Sequence, residues 1–411
     1  MFILIENGEI YAPERLGENS VLIANDRVER IGAIDRRALD ALGVDYETID
    51  ATGCVVTPGL IDAHEHLLGG SGEGKLALQT PMLFPSEIVR AGVTTVVGTL
   101  GVDTTMKTIS GLLGRVKALH EEGLTAFMWS GGYNVPPTTV TSSLRDDLLF
   151  IEECIGAGEI AISDERGLNQ SGQELAKLVR DEHVGGLLSG KCGLTHFHVG
   201  EDDTRLEPLR EIIDDFQVKP EWLYPTHVQR NEKLLREAID LANAGAHVDF
   251  DVVNEDLAKW FRFYLDNGGP IESLTISSDA DSSTPDIFFE QLRGLVTEHR
   301  FALEMVLPLA TSTSGSCLKL KDKGRLREGC DADVLVMDAR SLDIREVIAR
   351  GNRMVANGSL TFRESYLAKS RRASFILGDK APEPAMQRMA RDLAEIDEIT
   401  AVAGLPPADG R

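Results

Sequence analysis

The sequence predicts an α/β protein built around a TIM (β/α)8 barrel, with a smaller discontinuous β-sandwich domain assembled from both ends of the chain. Three observations carry that prediction. Apolar runs of strand length alternate with amphipathic helical stretches through the middle of the chain. Segments of β texture, split by turn residues, occur near both ends. Polar residues recur at the C-terminal ends of the middle strands, which is where a barrel presents its chemistry.

Residues 1–54 read as the first part of the sandwich, with apolar clusters at 2–5, 21–23 and 28–31 separated by Glu6-Asn7-Gly8 and Asn25-Asp26. The middle, 55–321, holds strand candidates at 55–64, 94–100, 125–129, 159–163, 194–199, 222–227, 246–252 and 274–279. Helical stretches such as 105–122, 174–182, 233–244 and 286–300 lie between them. A doubly wound sheet would alternate in the same way, but it accounts less well for polar residues at so many strand ends. Beyond it, Gly324-Arg325-Leu326-Arg327-Glu328-Gly329-Cys330-Asp331-Ala332-Asp333 leads into an apolar run at 334–337, and 344–357 reads as further strand and turn. Residues 322–365 therefore form the second part of the sandwich. Residues 366–411 are charged, carry a helical stretch at 384–396, end in breakers, and read as a peripheral extension.

Composition narrows the function. With 42% hydrophobic and 26% charged residues among 411, the chain has ample material for a core. Its 66 acidic against 42 basic residues give a formal net charge of −24. Such a surface repels phosphate backbones, which argues against nucleic-acid binding. No apolar run reaches membrane-spanning length, and Met1-Phe2-Ile3-Leu4 opens without a basic stretch or cleavage site, so neither a membrane span nor a signal peptide is expected. Cys54, Cys154, Cys192, Cys317 and Cys330 are odd in number and lack CxxC spacing, which favours free thiols in a reducing cytoplasm.

The chemistry gathers at strand ends. In Gly59-Leu60-Ile61-Asp62-Ala63-His64-Glu65-His66 an apolar run ends in two histidines spaced i, i+2. A strand's period of two puts both imidazoles on one face, where they could grip one divalent cation. Alone, the pair could equally be two polar residues where a strand meets solvent. Later strands add Glu159, His196 and His198, His227 and Asp279. Taken singly, each is an ordinary polar residue. Jointly they form a ligand set suited to Zn²⁺ or a similar ion.

Up to about residue 365 the chain resembles the amidohydrolase superfamily, on Pro58-Gly59-Leu60-Ile61-Asp62-Ala63-His64-Glu65-His66 and Gly329-Cys330-Asp331-Ala332-Asp333. Within it, the chain resembles the isoaspartyl (β-aspartyl) dipeptidases. That finer likeness rests on Gly69-Gly70-Ser71-Gly72-Glu73, Gly132-Tyr133-Asn134-Val135-Pro136, Ile162-Ser163-Asp164-Glu165-Arg166, Phe197-His198-Val199-Gly200, Pro225-Thr226-His227-Val228-Gln229-Arg230-Asn231 and Ser277-Ser278-Asp279. The resemblance implies a centre of two divalent ions, of the zinc type. His64, His66 and Asp279 would hold the more buried ion, and His198 with His227 the more exposed one. His196 has no counterpart among the family ligands and reads as a supporting or barrel-lining residue. A carboxylated lysine bridges the ions in the family, and its place falls on Glu159. A glutamate could bridge without CO₂ but is shorter, so its strand must move inward, or the second ion shifts or is lost; Glu159 could also be a plain charged residue at a strand start.

The same resemblance implies an activity: hydrolysis of the β-aspartyl amide bond of dipeptides by hydroxide, which cations generate by lowering the pKa of bound water to roughly 7. Asp279 would relay the proton, and Tyr133 would donate to the oxyanion. Glu73 would pair with the substrate ammonium, Arg166 and Arg230 with its carboxylates, and Ser283 would touch the substrate. Tyr133 could instead be a packed loop aromatic, and the arginines surface residues paired with acid. The family also implies a homo-oligomer, such as an octamer. Two alternatives stay open: a cyclic-amide hydrolase of the dihydroorotase or hydantoinase kind, and a non-catalytic assembly protein on the same fold.

Overall fold

The computed structural model describes residues 2–252, 256–281 and 283–366. Five strands come first: β1 (Phe2–Tyr11), β2 (Arg15–Ala24), β3 (Arg27–Gly32), β4 (Tyr46–Asp50) and β5 (Cys54–Pro58). Eight follow: β6 (Leu60–Glu65), β7 (Val93–Gly98), β8 (Thr125–Ser130), β9 (Cys154–Ile162), β10 (Thr195–Val199), β11 (Leu223–Thr226), β12 (Val248–Asp251) and β13 (Leu274–Ser277). The last are β14 (Val334–Asp338), β15 (Ile344–Ala349), β16 (Asn352–Ala356) and β17 (Ser359–Leu360).

The two ends of the described chain meet in one nine-stranded sheet, where β14 pairs antiparallel with β5. β1 changes partner along its length, pairing with β4 over residues 2–6 and with β5 at Glu9 and Ile10. It is buried on both faces. Ile3 and Ile5 join Val56, Val334, Val336 and Ile348 in a shared core, while Leu4 packs with Leu22 and Leu39 on the other side. That two-sided burial is why the opening run is continuously apolar instead of alternating.

The middle strands form the barrel. β6 to β11 lie parallel in sequence order, and β12 and β13 form a parallel pair. A bridge between Glu65 and Ala280 brings the end of the last strand back to the first. Asp62 fastens the same closure, since its Oδ1 accepts from Ser278 N at 3.1 Å and His64 N at 3.2 Å. The interior is packed, with Trp129, Phe197, Tyr224 and Phe250 fully buried.

The structure corrects two strand expectations. The single strand expected over 55–64 is two, because Val55–Pro58 belongs to β5 in the small sheet and the chain crosses to the barrel at Gly59. A side chain at Gly59 would meet Thr94, its Cβ falling 2.2 Å from Thr94 Oγ1. The strand expected from Glu159 starts five residues earlier, at Cys154, through glycines that read as breakers but here allow close contact: a Cβ at Gly156 would lie 2.4 Å from the Trp129 ring. Met1–Glu364 groups as one unit and Ser365–Arg411 as another; past Tyr366, the extension expected over 366–411, with its helix at 384–396, lies outside the described residues.

Candidate metal centre

β6, β10, β11, β12 and β13 deliver polar residues at or just past their C-terminal ends, β9 delivers Glu159 from within the strand, and local backbone turns aim some of the side chains. His227 (φ 62°) and Asp279 (φ 47°) adopt left-handed conformations just past β11 and β13. Such residues cost of order ~1–3 kcal/mol each and persist where the surroundings hold them. The loop after His227 ends at Asn231, whose side chain caps the following helix by accepting from Leu234 N at 3.0 Å.

Glu159 reaches the centre through a bulge. β9 pairs Ala157 with Thr195 but Ile160 with Phe197, so Gly158 and Glu159 together face the single residue His196. A bulge of this kind re-aims a side chain. The register shift lies at the residue whose side chain is shorter than the family's bridging lysine.

Four histidines and two carboxylates converge. Asp279 Oδ1 lies 3.1 Å from His66 Nε2 and 3.3 Å from His64 Nε2. Glu159 Oε1 lies 2.7 Å from His198 Nδ1 and 3.1 Å from His227 Nε2, and its Oε2 lies 3.5 Å from His64 Nε2. Three overlapping sets have all their ligand atoms within 4.8 Å of one another: His64, His66 and Asp279; His64, Glu159 and His227; His227, Asp251 and Asp279. His198 stands outside these sets among the described residues and touches the cluster through Glu159.

Hydrogen bonds determine which ring nitrogens are free. Tyr224 O can only accept, so His196 donates to it from Nδ1 at 2.9 Å, and its Nε2 accepts from His64 Nδ1 at 3.0 Å. His64 Nε2 is left with a bare lone pair facing Glu159 and Asp279. His227 donates from Nδ1 to Asp251 Oδ2 at 2.7 Å, which frees its Nε2 toward Glu159. His64 Nε2 and Glu159 Oε2 are buried without a hydrogen-bond partner. Lone pairs of neutral imidazoles and carboxylates thus face one another among buried side chains, an arrangement that cations would satisfy. The residues present fit a divalent metal.

The electrostatics express a demand for positive charge, which in a cation-free site falls to protons on the imidazoles. Burial opposes charge on His64, yet Glu159 and Asp279 raise its pKa well above the usual imidazole value. Burial likewise opposes it at His227, but Asp251 and Glu159 push its pKa up to about 9. Glu159 and Asp279 are held well below the ordinary carboxylate range, against burial, by the surrounding histidines. Burial keeps His196 neutral, its pKa well below normal.

The remaining expected residues divide. Tyr133, only 5% exposed, sets its hydroxyl 2.8 Å from His198 Nδ1. Burial and then Glu159 raise its phenol pKa well above normal, so it keeps its proton. Arg166 joins the cluster through His198, at 3.0 Å from NH2 to Nε2, and reaches Glu73 Oε1 from NH1 at 2.8 Å. Arg230 sits apart from these contacts, donating from Nε to Val199 O at 3.1 Å and pairing with Glu201 at 3.4 Å. Ser283 is half-buried on the loop after β13. Sequence reasoning passed over Asp164 and Asp251. Both lie at or just past a barrel-strand end, so the rule that singled out His64 and Asp279 applies to them equally.

No family model matches the chain. Among curated proteins, an adenine deaminase of Halalkalibacterium halodurans is 24% identical over 381 residues, covering 87% of this chain and 58% of that protein. The chain therefore spans little more than half of that relative's length. A dihydroorotase of Listeria monocytogenes is 24% identical over 402 residues, covering 82% of this chain and 89% of that one. Among solved structures, enamidase shares the fold, with a TM-score of 0.64 at 17% identity over 89% of this chain and 99% of that one. The β-aspartyl dipeptidase of Fervidobacterium islandicum AW-1 is 34% identical, with a TM-score of 0.84 over 88% of this chain and 99% of that one. A second structure of that enzyme, in complex with β-Asp-Leu dipeptide, gives a TM-score of 0.82 at 33% identity over the same shares of both chains. With that identity sustained over nearly the whole dipeptidase, the chain belongs to the isoaspartyl (β-aspartyl) dipeptidase family of the amidohydrolase superfamily.

Proposed function

We propose that the protein is a metal-dependent hydrolase of the β-aspartyl amide bond in dipeptides. The observation that carries this reading is the Glu73–Arg166 ion pair, 2.8 Å long, at the rim of the histidine–carboxylate cluster. A β-aspartyl residue bears a free ammonium and a free carboxylate beside its scissile amide. An anion and a cation that pair with each other in the free protein are matched to exchange partners for that zwitterion. Arginine suits the carboxylate because its planar fork binds bidentately.

His64, His66, Glu159, His198, His227 and Asp279 would hold the metal, two zinc-type ions with Glu159 between them. Bound there, such ions would activate water and polarise the amide carbonyl. The chain's own residues supply the rest. Asp279 faces the cluster and is 20% exposed, so it can take a proton from the attacking water and pass it to the departing amine. Tyr133, a protonated phenol, donates to the carbonyl oxygen as negative charge builds on it. Glu73 receives the ammonium, Arg166 and Arg230 receive carboxylates, and Ser283 borders the substrate.

Zinc-loaded protein should cleave β-Asp-Leu and leave dihydroorotate unopened. Glu73→Gln should cripple that cleavage, about 10²-fold or more in kcat/KM where the bound dipeptide covers this otherwise exposed carboxylate, with metal content unchanged. A Glu73→Gln enzyme as active as the parent, or ring opening faster than dipeptide cleavage, would transfer the assignment to the cyclic-amide hydrolases represented among the relatives.

A further inference from the structure

His198 has two tautomers open to it, and only one presents its lone pair on the Glu159 side of the ring. If Nδ1 carries the proton, it donates to Glu159 Oε1 at 2.7 Å, and Nε2 accepts from Arg166 NH2 at 3.0 Å. If Nε2 carries it, the acceptor is Asp164 Oδ2 at 2.9 Å, and Nδ1 presents a lone pair between Glu159 and the Tyr133 hydroxyl, which lies 2.8 Å away. Asp164 is the acceptor that makes the ligating form available. Its carboxylate also holds Arg166 side-on: Oδ1 accepts from Arg166 N and Nε, each at 2.8 Å, and Oδ2 from NH2 at 2.7 Å. Only NH1 is left to face Glu73. The base of the Asp164 side chain is closely packed: Gly200, just past β10, lies so near that a Cβ there would fall 2.4 Å from Asp164 Cβ.

We propose that Asp164 is a positioning residue that couples the two halves of the site, selecting the metal-binding tautomer of His198 and aligning Arg166 for the substrate carboxylate. The inference rests on the dipeptidase reading for the Arg166 half, and on the metal centre alone for the His198 half. The two partners of His198 Nε2 oppose each other. Asp164 favours the ligating tautomer, and Arg166, as a donor, favours the other.

That opposition gives the test. Metal-free parent, Asp164→Asn and Arg166→Ala proteins are titrated with Zn²⁺ against a chromophoric chelator, with circular dichroism to verify folding. The parent should take two ions. Asp164→Asn should keep one at parental affinity and bind the second ~10–100-fold more weakly, the usual scale for loss of a residue that supports a ligand. Arg166→Ala should hold both ions at parental affinity or tighter. With β-Asp-Leu, both variants should raise KM, the double variant should raise it no further than Arg166→Ala alone, and only Asp164→Asn should also lower kcat at limiting zinc. Nitrogen NMR of the zinc-loaded parent should find the His198 proton on Nε2, a measurement that needs no variant to fold. A parent with one ion, Asp164→Asn binding both ions like the parent, Arg166→Ala weakening the second ion equally, or a proton on Nδ1 would each overturn the proposal. A parent inert toward β-Asp-Leu would instead remove the dipeptidase reading and leave the metal arm standing.

Discussion

At the scale of single residues, Asp279 is asked to do two things that can be separated. It closes a ligand set with His64 and His66, and it carries the proton of the proposed reaction. Asp279→Asn keeps an oxygen for the cation and loses the basic carboxylate. Turnover should fall ~10²–10⁴-fold, the range for loss of one general base, while elemental analysis finds most of the metal retained. Full turnover at full occupancy would put the base elsewhere. Glu159 makes a second separable claim. Because it brings its own carboxylate, reconstitution of metal-free protein with Zn²⁺ should reach the same activity with and without bicarbonate. A strict bicarbonate requirement would contradict the proposal that it lies between the ions.

At the scale of elements, the bulge in β9 and the long helix Gly172–Ser189 show two ways of handling buried acid. The bulge carries Glu159 into a cluster of imidazoles that compensates its charge. The helix is well begun, with Ser171 and Glu174 forming a reciprocal capping box. Its Glu182, however, is fully buried with neither oxygen hydrogen-bonded. Burial first, then Asp181 and Asp147, raises its pKa well above normal. A carboxyl with a raised folded pKa contributes stability that is fully present below the unfolded value and is lost as pH rises through the folded one. Glu182→Gln should therefore melt like the parent near pH 4 and above it at pH 8. The gap between the two should open steadily as pH rises from 4 to 8. Parallel melting curves across that range would mean that Glu182 is compensated in the fold.

For the whole molecule, charge and closure dominate. A net charge of −24 on 411 residues leaves long-range self-repulsion that surface pairs such as Arg293–Asp343 only partly relieve. Exposed ion pairs are individually worth about 0–1 kcal/mol, and the Debye length shrinks from about 10 Å at 0.1 M salt to about 3 Å at 1 M. The thermal midpoint should therefore rise as sodium chloride increases toward molar concentration; a steady fall would show that the ion pairs outweigh the repulsion. All five cysteines are buried and free, so disulfides play no part in this balance. No helix among the described residues is long and apolar enough to cross a membrane.

Legible in the sequence were the barrel, the joining of segments 1–54 and 322–365 in a second domain, and the polar residues on the barrel rim. Each is a matter of local period and order. Strand-length apolar runs separated by helical ones have few ways to bury their faces, and strand ends occur where the runs stop. Tertiary structure alone settled where the chain leaves the small sheet, because 55–64 reads as one strand and only the pairing of β5 with β14 divides it at Gly59. It alone decided that Glu159 can reach the centre, since a bulge exists only relative to a neighbouring strand. It also decided which ring nitrogens are free and gave Asp164 its place beside them, because a tautomer is set by acceptors that arrive from other strands: Tyr224 O behind His196, Asp251 behind His227 and Asp164 behind His198.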